Sequence, residues 1–153
     1  MPEALQPFRR VRDILAFVMD LHLRRISEYE QAMRGNGDVR LRAVLAYIRD
    51  NDRRVVAAIA RIAEDENALD AFVQGVPIAA LSAAQESCSP DSGIETILYD
   101  YGVRDHALGQ LYEQLRASPL GPRAKAIFDD LGQLALHNQQ RLRQAMLDFE
   151  GGA

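Results

Sequence analysis

The stretch that most constrains this chain is its last apolar stripe, which steps through Ala124, Phe128, Leu131, Ala135, Asn138, Leu142, Ala145 and Phe149. The alternation of three- and four-residue steps is one face of an amphipathic helix, apolar except for a single amide near its middle. Three earlier segments repeat the arrangement. The first, predicted over about residues 8–34, turns Val11, Leu15, Val18, His22, Ile26, Tyr29 and Met33 to one side. The second, over about 39–67, does the same with Leu41, Leu45, Ile48, Asp52, Val55, Ile59 and Ile62, its line running on to Leu69. The third, over about 94–117, carries Ile94, Leu98, Tyr101, Asp105, Leu108, Tyr112 and Leu115. The fourth spans about 123–149.

The breaks between these segments are chemically explicit. Gly35-Asn36-Gly37 stops the first helix and Asp38 offers a cap to the second, so the short turn makes the two antiparallel neighbours. Ser118-Pro119-Leu120-Gly121-Pro122 ends the third, because proline cannot continue a helix. Residues 68–92 differ: Gly75, Pro77 and Pro90 interrupt a stretch that is partly apolar (Phe72, Val73, Val76, Ile78, Leu81), and Leu81 to Ser89 is rich in Ser and Ala. This segment is too long for a tight turn and too apolar for a free linker, and reads as a crossover along the bundle, with Pro90-Asp91-Ser92-Gly93 starting the third helix. Four helices of about 24–29 residues, each about 36–43 Å long, make an all-α antiparallel four-helix bundle with a long crossover between the second and third helices. Residues 1–153 read as one domain.

Composition narrows the function classes. Net charge is −4 with the basic residues scattered, which argues against a nucleic-acid surface. No apolar run approaches the ~18–20 residues that cross a bilayer, and the start lacks the apolar core of a signal peptide. A single cysteine, Cys88, excludes a disulfide framework and a thiolate metal cluster, and the cytoplasm is the expected compartment. Phosphate-binding glycine loops, nucleophile elbows and Cys-x-x-Cys pairs are missing, so an enzyme using an Asp/His pair has no cofactor or nucleophile motif behind it.

The informative feature is one polar residue per stripe: His22, Asp52, Asp105 and Asn138, each near the middle of its helix. Burying an unpaired carboxylate costs several kcal/mol, so the two aspartates need partners. Three solutions exist. His22 as a cation between Asp52 and Asp105, with Asn138 donating its amide and Tyr29, Tyr101 and Tyr112 adding hydroxyls, gives a hydrogen-bonded network. One divalent metal (Fe, Mn or Zn) held by His22, Asp52 and Asp105 is the second. The third is a rotation of the helices that leaves some of these groups in water.

The phrasing IETILYDYGVRDHALGQLYEQLRASPLGPRAKAIFDDLGQLALHNQQRL resembles the second half of a ferritin-like, rubrerythrin-type domain, and DILAFVMDLHLRRISEYEQAM followed by RLRAVLAYIRDNDRRV is similar to its first helix pair. The resemblance covers about residues 11–149 and implies the ferritin-like bundle. Carried over by position, the ligand glutamates of the first and third helices fall on His22 and Asp105. The Glu/His pair of the second falls on Asp52 and Val55, and that of the fourth on Ala135 and Asn138. A di-iron carboxylate centre takes four carboxylates and two histidines. The departures argue against ferroxidase, peroxidase and iron-storage chemistry and leave a fold with one metal or none. The resemblance also implies a homodimer through outer helix faces, and Leu21, Leu23, Leu134, Leu136 and Met146, beside the core stripes, form the expected patch.

Other residues read more plainly. His106 and His137 point away from the stripes, Asp129-Asp130 and Glu64-Asp65-Glu66 are solvated acidic faces, and a lone loop cysteine such as Cys88 is ordinarily inert. Gly102 and Gly109, seven residues apart in the third helix, read as close helix packing, or else as room for a ligand beside Asp105.

Overall fold

A computed structural model of the protein describes residues 10–35, 37–64, 66–73 and 93–151. The described chain is all-helical: α1 (Val11–Arg34), α2 (Val39–Ile62), a single turn α3 (Glu66–Leu69), α4 (Ile94–Ala117) and α5 (Pro122–Gly151). The only strand-like pairing among the described residues is one isolated bridge between Arg10 and Phe72. No described helix is long and apolar enough to cross a membrane. The four long helices associate as two hairpin pairs, α1 with α2 and α4 with α5, and the pairs bury their apolar faces against each other.

The element ends follow from local chemistry. Asp38 caps α2 as expected, its Oδ1 accepting from the Arg40 and Leu41 amides at 3.0 and 3.4 Å. The Asp13 carboxylate reaches back to the Arg10 amide at 3.0 Å at the start of α1, a carboxylate where the helix dipole favours one. The second helix is shorter than the stripe suggested: it closes at Ile62 rather than near residue 67, and α3 restarts after it. The first helix starts at Val11, not residue 8, and the last runs from Pro122 to Gly151, slightly beyond the expected 123–149.

α3 and the residues after it tie the second helix back to the first. The Val11 amide donates to the Ala71 carbonyl at 3.0 Å, Asp70 pairs with Arg12 and Arg10, and the Arg10 guanidinium lies 4.7 Å from the Phe72 ring centroid. Ala68, Leu69 and Val73 join the core there. Residues 68–73 thus lie on the bundle in part, while the rest of the expected crossover, 74–92, and Cys88 with it, lie outside the described residues.

Among the described residues the core is two apolar clusters, not one. The larger includes Val11, Ile14, Leu15, Val18, Leu21, Ile59, Leu111, Leu115, Phe128 and Leu131. The smaller gathers Tyr29, Leu41, Leu45, Ile48, Leu98, Tyr101 and Leu142. Each of the four long helices contributes to both, and in each the polar residue of its stripe falls between its two contributions, whereas α3 adds only to the larger. Leu21 is one correction to the expected outer patch: it is 3% exposed and belongs to the core. A globular helix buries a stripe wider than a single three-four line, and the second line of α1 runs through Ile14, Leu21 and Arg25.

A buried ionic layer as the candidate functional site

His22, Asp52, Asp105 and Asn138 are all buried, at 3% exposure or less, between the two apolar clusters. The helix rotations inferred from the stripes therefore place all four inside. Three further polar residues share the layer: Arg25 of α1, Asn51 of α2 and Arg104 of α4. Each lies on the adjoining line of its helix, three residues after His22 or one before each aspartate. Among the described residues the layer holds two arginines and two aspartates, so their formal charges balance without His22.

Arg25 occupies its centre. Its Nε lies 3.3 Å from Asp52 Oδ2 and its terminal NH2 nitrogen 3.3 Å from Asp105 Oδ1, so one guanidinium on α1 faces carboxylates on α2 and α4. The contact to Asp105 is an aligned hydrogen bond, whereas that to Asp52 is a charge contact without hydrogen-bond alignment. The guanidinium carbon also sits 4.7 Å from the centroid of the Tyr101 ring, a cation–π contact in a dry setting. Burial pulls the Arg25 pKa down, but Asp52, Tyr29 and Asp105 together outweigh it and hold the pKa well above the ordinary arginine value. Arg25 is a permanent cation.

Around it the other groups fall into two sets. His22 Nδ1 is 2.9 Å from Asp52 Oδ1, so Asp52 faces the imidazole with one oxygen and Arg25 with the other. Arg104 donates to the Tyr29 hydroxyl at 2.8 Å, and the Tyr29 and Tyr101 rings meet at 6.4 Å between centroids. Burial raises the Asp105 pKa, partly offset by Arg25 and reinforced by Asp52. Burial likewise raises the phenols of Tyr29, Tyr101 and Tyr112. Asn138 stands apart: neither end of its amide has a hydrogen-bond partner among the described residues. It borders a void of about 10 Å³ with His22, Asp105 and Tyr112.

The cation between Asp52 and Asp105 is Arg25, and this corrects the expectation that His22 would stand there; His22 is paired with Asp52. Asn138 is not joined to the network as a donor. The donor set does not suit a metal ion in this arrangement. The three proposed ligands, His22, Asp52 and Asp105, are turned onto one another or onto Arg25, and an ion beside a permanent guanidinium would meet like charge. No group of three or more His, Cys, Asp or Glu close enough to share an ion occurs among the described residues.

The remaining candidates lie at the surface. His106 and His137 are exposed, as their positions implied. Gly102 and Gly109 are not closely packed by another helix of the described chain: a Cβ on Gly102 would meet nothing within 4 Å, and one on Gly109 would meet only the Gln139 side chain at 3.9 Å. The depressions they line do not include Asp105. Of the expected outer patch, Leu23 and Leu136 are exposed, while Leu134 and Met146 are half-buried against the core. No protein-family model, curated protein or solved structure matches the chain.

Proposed function

We propose that this protein is a metal-free, self-associating interaction module on a ferritin-like bundle: an antiparallel pair, a crossover and a second pair. The observation that carries it is the Arg25 guanidinium between Asp52 and Asp105, at 3.3 Å from each. A built-in cation does there what a divalent metal would do in a carboxylate bundle, neutralising buried acids and joining the helices that bear them. Unlike a metal, it offers no open coordination position and no redox couple. The layer is a structural device, and the working part of the molecule is its surface. A cytoplasmic location accords with the single cysteine.

Elemental analysis of protein purified without chelator or nickel affinity, beside an Asp52→Ala/Asp105→Ala double variant, tests the proposal. The expected result is no stoichiometric transition metal in the wild type and a much less stable double variant. A stoichiometric metal that disappears in the variant would overturn it and restore a metal centre on His22, Asp52 and Asp105.

A further inference from the structure

α2 carries six arginines and two aspartates, one of them the buried Asp52, in a chain of net charge −4. Basic residues are scattered along the sequence, but the helix gathers these on its outer side. There a second line of three- and four-residue steps runs opposite the buried stripe: Ala43, Ala46, Asp50, Arg53, Ala57 and Ala60, none of them buried. Arg42 and Arg49 border this line on one edge, and Arg54 and Arg61 on the other, the members of each pair seven residues apart. From Arg42 to Arg61 the face is about 29 Å long. Part of its charge is met within the bundle: Arg49 pairs with Asp50 at 3.2 Å and Arg53 with Glu30 at 3.0 Å. Arg54 donates to the Asn51 amide oxygen at 3.2 Å. Among the described residues Arg42, Arg54 and Arg61 have no acidic partner.

A line of small residues bordered by charges of one sign is how one helix selects another that carries the opposite sign at its own bordering positions. The alanines leave the α2 backbone open to close approach, and each guanidinium fork matches a carboxylate bidentately. A phosphate backbone would engage the arginines but leave the alanine line without a contact. An extended polyanion or an anionic membrane would also meet the rest of the surface, which holds the chain's negative excess. We propose that the outer face of α2 docks an acidic α-helix of another protein. Small or aliphatic side chains of that helix lie on Ala43, Ala46, Ala57 and Ala60, and its carboxylates meet Arg42, Arg49, Arg54 and Arg61. The α2 of a second copy does not fit there, because arginine would face arginine. This surface is therefore separate from self-association and goes beyond it.

The probe is a fluorescein-labelled peptide of four heptads with alanine and leucine on its inner line and glutamate at both bordering positions, whose own like charges keep it from pairing with itself. Fluorescence anisotropy with the full chain at about 50 mM salt should show saturable binding tighter than about 100 µM, weakening as salt is raised. Arg54→Gln combined with Arg61→Gln should weaken it about fivefold or more, and Ala57→Glu about tenfold or more. These positions are exposed, so circular dichroism should show the fold retained. Lys125→Gln combined with Arg143→Gln, on α5, should stay within about twofold of wild type. Absent binding, or equal binding by wild type and the α2 variants, overturns the proposal. So does tighter binding of a DNA duplex or of vesicles containing anionic lipid, which would make the face a reader of phosphate. A fall in the protein's own oligomer mass in the Arg54→Gln/Arg61→Gln variant overturns it as well, by naming a second copy as the occupant. None of these outcomes depends on the metal analysis.

Discussion

Arg25 faces Asp52 and Asp105 at the same 3.3 Å, and through it α1 is joined to both α2 and α4 between the two apolar clusters of the core. Removing the cation strands the buried Asp105 carboxylate and leaves Asp52 only its His22 contact, which is far more costly than removing the whole group. Arg25→Met should lose about 3–5 kcal/mol of unfolding free energy. Arg25→Met combined with Asp52→Asn and Asp105→Asn should recover much of that loss. Urea unfolding of the single and triple variants checks both. A single variant within 1 kcal/mol of wild type (roughly a fivefold change in the folding equilibrium) would mean the layer is hydrated rather than dry.

The same arrangement fixes a pH dependence. The folded state raises the Asp105 pKa through burial, so the fold binds this proton more tightly than the unfolded chain does. The stability that the proton confers is fully present below the ordinary carboxylate value of about 3.9 and is lost as pH rises through the raised value. Asp105→Asn mimics the protonated form at every pH. Relative to that variant, the wild type should weaken as pH is raised from about 4, and the difference should level off above the folded-state value. Thermal unfolding of the pair across this range reads it; a gap that is flat or narrows on raising pH would contradict the assignment.

How much of this was visible in the chain depends on which line of each helix is followed. The stripes that step by three and four through His22, Asp52, Asp105 and Asn138 locate the polar layer, because a polar residue interrupting an apolar line is conspicuous. Arg25, Asn51 and Arg104 were missed because each sits on the neighbouring line, where a charged or amide side chain passes for solvated surface. Stepping four and three from Val18 through His22 to Arg25 and then Tyr29 is as regular as the path through Ile26. A buried charge needing a counter-charge was the available signal, since two stripe aspartates called for more cation than one histidine.

Asn138 poses the opposite problem to Arg25: it is 1% exposed, and neither its Nδ2 nor its Oδ1 has a protein partner among the described residues. A buried amide without partners carries its desolvation cost uncompensated, about 1–3 kcal/mol. Asn138→Leu, similar in shape and flanked by Ala135 and Leu142 on its stripe, should therefore stabilise the fold by about 1 kcal/mol. Denaturant midpoints at constant slope measure this. A loss of stability would show that the amide is hydrogen-bonded through an internal water in the adjoining void of about 10 Å³, which is close to the smallest space that holds one.

Leu21 and Leu23 separate packing from surface within two residues. Leu21 is 3% exposed in the larger apolar cluster, whereas Leu23 is 49% exposed on the far side of α1. Truncating Leu21 removes buried methyl groups and leaves a cavity that close-packed neighbours fill only in part, so Leu21→Ala should cost about 2–5 kcal/mol. Leu23→Ala touches no core contact and should stay within about 0.5 kcal/mol of wild type. Chemical unfolding at a concentration where the chain is monomeric gives both numbers free of any contribution from association. Equal losses at the two positions would require α1 to be rotated about its axis, which would also carry His22 and Arg25 out of the layer.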